Sequence, residues 1–223
     1  RGNEKVETIV FPTYLDLQSC KDQGLTVGGQ FAHPLGHGAR TGDISISMLA
    51  ETGTKYVMCG HSERRIYHGE TDDFIAQSAL AALQNGITPV ICIGETWEEK
   101  ESGKGEAVIK QQLETVLDLI KDSEFGDFTQ EIIVAYEPVW AISGGDTSKP
   151  AATPEDAQSM HVFIRSLLPS SIQETTRILY GGSMKPENVE SLLAQPDIDG
   201  GLVGGASLIP EKFQVLVDMA GKQ

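Results

Sequence analysis

The sequence predicts an α/β protein built around a parallel sheet, and three observations lead to this fold class. Short apolar, β-branched runs alternate with amphipathic stretches along the whole chain. The apolar runs are nearly continuous, which is typical of strands that helices cover on both faces. A length of 223 residues and a hydrophobic content of 39% suffice for one substantial core.

Seven runs are predicted to be strands because each is short and apolar and is followed by glycine or by a polar cluster. Most of them are rich in Ile and Val, and the last combines glycine with Leu and Val. In chain order the predicted strands are 7–11, 25–29, 56–59, 88–93, 132–136, 177–180 and 201–203.

The amphipathic stretches between and after these strands are predicted to be helices. The clearest start is at Thr153, a helix-capping residue that is followed by Pro154 and by the acidic residues Glu155 and Asp156. A proline followed by an acid opens two later stretches in the same way. The predicted helices are 14–23, 44–51, 71–85, 106–121, 154–168, 186–194 and 210–220.

Repeated βα units fit either a closed (β/α) barrel or an open, doubly wound sheet. No G-x-G-x-x-G segment follows the first predicted strand, which argues against a dinucleotide-binding sheet. Glycine or polar residues follow almost every strand, whereas an open sheet collects such residues only at its switch point. We therefore favour a barrel that forms a single domain over residues 1–223.

The net charge of −15 indicates that neither nucleic acid nor an anionic membrane is the main partner, since both require clustered Lys and Arg. No apolar run approaches the length of about 20 residues that a membrane span needs. The three cysteines lack CxxC spacing, which predicts reduced thiols in the cytosol and no zinc site. We expect no metal and no cofactor.

Two polar residues come directly after predicted strands and are candidates for chemistry. His61 follows the strand 56–59 across one glycine, and Glu137 follows the strand 132–136. A carboxylate with apolar surroundings is a stronger base, and a neutral imidazole can polarise a carbonyl. This pair suits proton abstraction next to a carbonyl group, although either residue could instead be a hydrogen-bonded structural group.

Two glycine turns follow the last two predicted strands. Gly181 and Gly182 precede Ser183, and Gly204 precedes Gly205. Such turns expose backbone N–H groups beside helix starts, which makes an anion site without Lys or Arg. Barrels often bind phosphate at these loops. The alternative is that the second pair of glycines only permits tight packing of a helix on a strand.

Five motifs resemble the triosephosphate isomerase family in their order and spacing. The similarity extends from about residue 7 to the end of the chain and implies a TIM (β/α)8-type barrel, of which seven βα units can be counted here. The motifs are GHSERR at 60–65, CIGE at 92–95, AYEPVWAI at 135–142, YGGS at 180–183 and DIDGGLVGGASL at 197–208.

The resemblance also implies a function. The activity would be the interconversion of dihydroxyacetone phosphate and D-glyceraldehyde 3-phosphate through an enediolate, in glycolysis and gluconeogenesis in the cytoplasm. The partner would be a small phosphorylated triose, together with a second copy of the chain that docks through residues 31–43 to form a homodimer.

By motif position, the resemblance assigns a role to each candidate residue. Glu137 would be the general base and His61 the neutral electrophile, while Glu63 would support the histidine loop. Residues 138–153 would form a lid. The phosphate group would be bound by Ser143, Ser183, Gly204 and Gly205.

The sequence departs from the family at its start and in the lid. The family's first strand, with its Asn-x-Lys segment, has no counterpart, so that no catalytic lysine is assigned, and Ser143 replaces a glycine. Removal of one preorganised electrostatic donor typically costs about 10²–10³ in rate. If the chain is complete, we expect little or no activity. The alternative is a catalytically silent barrel that binds a phosphometabolite or acts as a scaffold.

The remaining residues that could carry chemistry are predicted to be structural. Cys59 and Cys92 lie in apolar strands and are expected in the core, and Trp140 is expected to anchor the lid by packing. The charged run 95–106 is predicted to be a solvated loop and helix start. Four histidines are predicted to lie on the surface or in loops, namely His33, His37, His68 and His161.

Overall fold

The computed structural model describes residues 5–142 and 152–222, in which strands and helices alternate along the chain. The strands are β1 Ile9–Val10, β2 Thr26–Gly29, β3 Tyr56–Cys59, β4 Thr88–Ile93, β5 Ile133–Tyr136, β6 Arg177–Tyr180 and β7 Gly200–Gly201. The α-helices are α1 Leu17–Asp22, α2 Ile46–Glu51, α3 Ser62–His68, α4 Asp72–Gln84, α5 Trp97–Glu101, α6 Gly105–Lys121, α7 Pro154–Leu167, α8 Val189–Leu193 and α9 Pro210–Ala220. Short 3-10 turns cover Val139–Ala141 and Gly205–Leu208.

The strands form a sheet in which they follow one another in chain order, from β1 to β7. The strand pairs β1–β2, β2–β3, β3–β4 and β6–β7 are parallel. A doubly wound sheet requires a point at which the strand order reverses, and this order has none. The prediction of an α/β fold of the barrel type is confirmed.

Side-chain caps account for where several helices begin. Thr153 Oγ1 accepts a hydrogen bond from the backbone N–H of Asp156 at 3.0 Å, and the Asp156 carboxylate accepts one from Thr153 N–H at 3.3 Å. Thr96 and Glu99 make the same reciprocal pair at the start of α5. Each pair satisfies two N–H groups that have no partner within the helix.

The described residues fall into two compact units. Unit 1 comprises the described residues within Arg1–Thr8, Ile93–Gln111 and Val134–Gln223, and it contains most of β5 together with β6 and β7. Parallel pairing in unit 1 sets Leu179 opposite Gly200 and Tyr180 opposite Gly201, so that β6 and β7 end side by side. Its core contains Val134, Tyr136, Ile164, Ile178 and Tyr180, all of them buried.

Unit 2 comprises Ile9–Cys92 and Gln112–Ile133 and contains β1 to β3 with most of β4. Its strands pair in parallel, with Cys59, the last residue of β3, opposite Ile91 of β4. Cys59 and Cys92 are buried and unbridged, which confirms that they are core residues.

Two of the expectations for polar residues are wrong. His161 does not lie on the surface or in a loop: it is fully buried in α7, where its ring lies edge-on to the ring of Tyr136 at a centroid distance of 5.9 Å. The charged run 95–106 is not solvated throughout, because Glu95 is buried and residues 97–101 form α5.

The structure also differs from the predicted elements near His61 and at the last strand. Helix α3, which begins at Ser62, was not predicted. Strand β7 is Gly200–Gly201 instead of 201–203. No helix within residues 5–142 and 152–222 combines the length and the apolar content that are needed to cross a bilayer.

Candidate active site

Glu137 follows β5 directly in unit 1, and it is buried, since only 2% of the residue is exposed. The backbone is held on both sides of this residue. The N–H group of Glu137 donates to the carbonyl oxygen of Ile93 at 2.8 Å, and that of Val139 donates to the carbonyl oxygen of Glu95 at 3.1 Å. The carboxylate therefore projects from a backbone segment of fixed position.

Two glycines allow other chain segments to approach Glu137 closely. A Cβ atom at Gly94 would overlap the carbonyl oxygen of Glu137, and one at Gly181 would lie 2.7 Å from Glu137 Cγ. The Gly181 N–H group also donates to the carbonyl oxygen of Tyr136 at 2.7 Å. Neither glycine can be replaced without moving its neighbour, so the segments after β4 and β6 help to define the walls around the carboxylate.

Glu95 is a polar residue of this region that the sequence analysis missed. Its Oε1 atom accepts hydrogen bonds from the Tyr136 hydroxyl at 3.0 Å and from Trp140 Nε1 at 2.7 Å. Burial, together with the neighbouring Glu95 carboxylate, raises the pKa of Tyr136 well above its usual range. The available signal was that Glu95 follows a buried strand across one glycine, as His61 follows β3.

The turn after β6 carries Ser183. Gly182 lies against the hydroxyl group of Tyr180, which leaves no room for a Cβ atom. The Asn188 side chain bridges the turn: its Nδ2 atom donates to the carbonyl oxygen of Ser183 at 2.9 Å, and its Oδ1 atom accepts from the N–H group of Lys185 at 2.7 Å. These contacts hold the turn in one conformation.

The turn after β7 carries Gly204 and Gly205, and it is open. No described atom lies within 4 Å of a Cβ atom built on either glycine, so this geometry gives no support to the alternative that they only permit tight packing. The carbonyl oxygen of Gly204 accepts from the N–H and hydroxyl groups of Ser207, which tightens the 3-10 turn that begins at Gly205.

In unit 2, His61 follows β3 and is the capping residue of α3. The preceding Gly60 has φ +82°, a conformation that favours glycine. His61 Nδ1 accepts a hydrogen bond from the N–H group of Glu63 at 3.3 Å, whereas the Glu63 carboxylate lies farther away, at 4.0 Å, and is largely exposed. We assign Nδ1 as the acceptor, so that the proton of the neutral ring is on Nε2.

Two arginines after His61 fix its loop in unit 2. Arg64 pairs with Glu70, and Arg65 pairs with Asp72 at 2.6 Å. Arg65 also donates to the carbonyl oxygen of Gly60 at 3.0 Å. An ion-pair network with the carboxylates of Glu70 and Asp72 therefore holds this loop.

The sequence-predicted site residues fall into three groups. Four of them are in unit 1, where Glu137, Ser183, Gly204 and Gly205 follow the consecutive strands β5, β6 and β7. His61 and Glu63 lie after β3 in unit 2. Ser143 and most of the predicted lid 138–153 lie outside the described residues.

Comparison with known proteins gives one consistent result. A family model described as "Triosephosphate isomerase" matches residues 1–220. Proteins of the same name are 52% identical over 185 residues in Paracidovorax citrulli (82% of this chain, 70% of the relative) and 45% identical over 223 residues in Delftia acidovorans (98% and 86%). The relative from Hydrogenovibrio crunogenus is 47% identical over 216 residues, which is 94% of this chain and 82% of its own length.

Proposed function

The chain belongs to the triosephosphate isomerase family, and on that premise we propose how it interconverts dihydroxyacetone phosphate and D-glyceraldehyde 3-phosphate. The protein is an isomerase whose substrate is a triose phosphate, and the family name implies a place in glycolysis. The comparisons lend no support to impaired activity or to a catalytically silent barrel.

Glu137 is the general base that moves the proton between neighbouring carbons of the substrate. The observation that carries this proposal is the buried carboxylate at the end of β5, whose backbone is held at Ile93 and at Glu95. Exclusion of water makes a carboxylate a stronger base, and a fixed backbone keeps it within reach of the carbon-bound proton.

His61 is the electrophile on the substrate oxygens, and Glu63 supports it. His61 Nδ1 accepts a hydrogen bond from the N–H group of Glu63, so the ring proton is on Nε2. This Nε2 proton is the one that can be donated to a carbonyl oxygen of the substrate. A neutral donor of this kind stabilises the negative charge that develops on the enediolate. That His61 and Glu137 act on the same substrate is a prediction from their motif positions in the family.

Ser183, Gly204 and Gly205 bind the phosphate group through backbone N–H groups, and the motif position adds Ser143. Two observations support this assignment. The turn at Gly204 is open, and the Asn188 side chain holds the turn at Ser183 by a hydrogen bond. In a chain with a net charge of −15, local N–H donors are needed because the overall field repels an anionic substrate.

We also propose that residues 1–223 form a single domain. The chain passes between units 1 and 2 inside β4, inside α6 and inside β5. Domain boundaries usually fall in exposed linkers instead, so these crossings favour one folding unit.

A homodimer formed through residues 31–43, and a cytoplasmic location with a role in gluconeogenesis, complete the proposal. Most of the loop after Pro34 is exposed, and its Leu35 side chain is half exposed. The base of the loop is anchored, because the Arg64 guanidinium lies 3.5 Å above the ring of Phe31. The unbridged cysteines support a reducing compartment.

The proposed base is tested by Glu137→Gln, which keeps the shape of the side chain and removes its basicity. We expect kcat for the isomerisation of glyceraldehyde 3-phosphate to fall by about 10²–10⁴, with a small change in KM. The matched control is Glu124→Gln, at an exposed carboxylate, which should leave both constants unchanged. If the unaltered protein has no isomerase activity, the proposed function is wrong. If Glu137→Gln has a normal kcat, Glu137 is not the general base.

A further inference from the structure

Glu95 is a buried carboxylate to which the proposed reaction assigns no role. We propose that Glu95 is a positioning residue for the isomerisation, which holds Glu137 in place through Tyr136 and Trp140. The inference rests on the proposed role of Glu137 as the base. It concerns contacts within unit 1 only.

The first argument is the position of the two hydrogen-bond donors in the chain. Tyr136 precedes Glu137 directly, and Trp140 follows it by three residues. Both side chains donate to the same oxygen atom, Oε1 of Glu95. The backbone carbonyl groups of Ile93 and Glu95 accept from the N–H groups of Glu137 and Val139. The segment 93–95 therefore accepts four hydrogen bonds from residues 136–140, the stretch that contains Glu137.

The second argument is the strength of these bonds in their surroundings. Glu95 and Tyr136 are each 2% exposed and Trp140 is 7% exposed, so that water does not compete for either contact. Low local polarity strengthens hydrogen bonds of this kind. A shared oxygen also couples the two donors, because a shift of Glu95 moves both.

The third argument is the cost of this arrangement. The second carboxylate oxygen of Glu95, Oε2, is buried and has no hydrogen-bond partner among the described residues. A buried carboxylate that is only partly satisfied is less favourable than an apolar side chain of similar volume. Packing alone does not explain a glutamate here, whereas anchoring two donors on either side of Glu137 does.

Trp140 is held on a second side by α5, the helix that follows Glu95. The Lys100 ammonium group lies 3.5 Å from the centroid of the Trp140 ring, and the ring of Trp97 lies 6.0 Å away. The indole is thus fixed at its nitrogen by Glu95 and on its face by Lys100. Loss of Glu95 would leave the face contact and release the nitrogen.

The test compares two substitutions of Glu95. Glu95→Ala removes the acceptor, and we expect kcat to fall about 10- to 100-fold while KM changes by less than about threefold, since a displacement of about 1 Å can cost 10² in rate. Glu95→Gln keeps an Oε1 acceptor and should retain kcat within about threefold. Glu101→Ala, at an exposed carboxylate on α5, is the matched control and should be unchanged.

A spectroscopic readout separates this inference from the proposed function. The chain has two tryptophans, so the indole N–H resonance of Trp140 can be assigned by comparison with Trp97→Phe. We expect Glu95→Ala to shift that resonance and Glu95→Gln largely to preserve it, whether or not the protein is active. If the unaltered protein has no activity, the proposed function is wrong. The Trp140 resonance then still tests the hydrogen bond between Trp140 and Glu95.

Two results would overturn the positioning role. One is normal kcat in a folded Glu95→Ala variant, and the other is an unmoved Trp140 resonance. If Glu95→Ala does not fold, Tyr136→Phe takes its place because it removes one of the two bonds to Oε1. A loss of about fivefold in kcat, the worth of one hydrogen bond, then supports the role, and unchanged kcat overturns it.

Discussion

Glu95 and Glu137 occupy similar local sequence settings, because each comes within two residues of the end of a buried apolar strand. Both carboxylates are 2% exposed. Glu95 accepts hydrogen bonds from Tyr136 and Trp140 through a single oxygen atom. The role of a strand-end carboxylate thus depends on which donors reach it, and those donors lie about 40 residues away in the chain.

His161 is a second side chain whose environment the sequence did not reveal. Its ring is buried in α7 between the rings of Tyr136 and Tyr180, and Nδ1 lies 3.0 Å from the carbonyl oxygen of Asp197. Charged groups near it are Arg165, Asp197 and Asp199. Burial is the main cause that lowers the pKa of His161 from 6.5 to about 4.

This low pKa predicts a loss of stability in mild acid. Between pH 6.5 and about pH 4 the unfolded chain binds a proton at His161 and the folded protein does not, so the free energy of unfolding falls as the pH is lowered through this window. A shift of this size corresponds to about 3 kcal/mol at most. Urea unfolding at pH 7 and at pH 4.5 measures the change.

The matched substitutions for this prediction are His161→Gln and, at an exposed position, His68→Gln. His161→Gln should be less stable than the unaltered protein at pH 7 but should lose less stability on acidification. His68→Gln should keep the full pH dependence. If the unaltered protein and His161→Gln lose the same free energy of unfolding between pH 7 and pH 4.5, the protonation of His161 is not the cause of the loss.

Among the elements, three apolar strands and one amphipathic helix were predicted best. The strands β3, β4 and β6 and the helix α9 have the predicted bounds. The short helix α3 was missed because His61, an uncommon capping residue, precedes it, and α5 was missed because its five residues are too few for a helical period. Strand β7 consists of glycines and lacks a side-chain pattern.

One cluster of polar side chains ties α7 to the chain segments beside β6 and β7. Arg165 pairs with Asp197 and with Asp199, each at 2.7 Å, and also donates to the carbonyl oxygens of Gln173 and Thr176. Asp199 in turn accepts from the N–H group of Ile178 at 2.8 Å. The planar guanidinium group joins all these partners at once, a geometry that a lysine cannot reproduce.

We therefore predict that Arg165→Met destabilises the protein. The substitution leaves Asp197, which is half-buried, and the exposed Asp199 without their cation, and it leaves three carbonyl groups without a donor. It should lower the free energy of unfolding by about 2–4 kcal/mol. Arg165→Lys should recover less than half of this loss. Lys212→Met, at an exposed position on α9, is the control for removal of a positive charge. Urea unfolding at pH 7 distinguishes the three variants, and an Arg165→Met variant of normal stability would refute the prediction.

For the molecule as a whole, the proposed dimer gives a direct prediction. The unaltered protein should sediment at about twice the chain mass of 24.0 kDa. Leu35→Glu places a charge in the loop 31–43, where burial against a second copy would desolvate it, and should raise the dimer dissociation constant by at least about tenfold.

The control for the dimer is Val162→Glu, because Val162 on α7 is 48% exposed and Leu35 is 49% exposed. The two substitutions introduce the same charge at equally exposed apolar positions. Sedimentation velocity across a dilution series compares them. If both variants have the same dissociation constant, or if the unaltered protein is a monomer, the loop 31–43 does not form a dimer interface.

The alternation of strands and helices, the barrel type of the fold and the position of Glu137 at a strand end could be read from the amino-acid sequence. These features follow from local periods and from glycine turns, which act over a few residues. The burial of His161 and the anchoring of Tyr136 and Trp140 on Glu95 could not. Their partners lie 36, 41 and 45 residues away, so the contacts exist only after the strands have paired and excluded water.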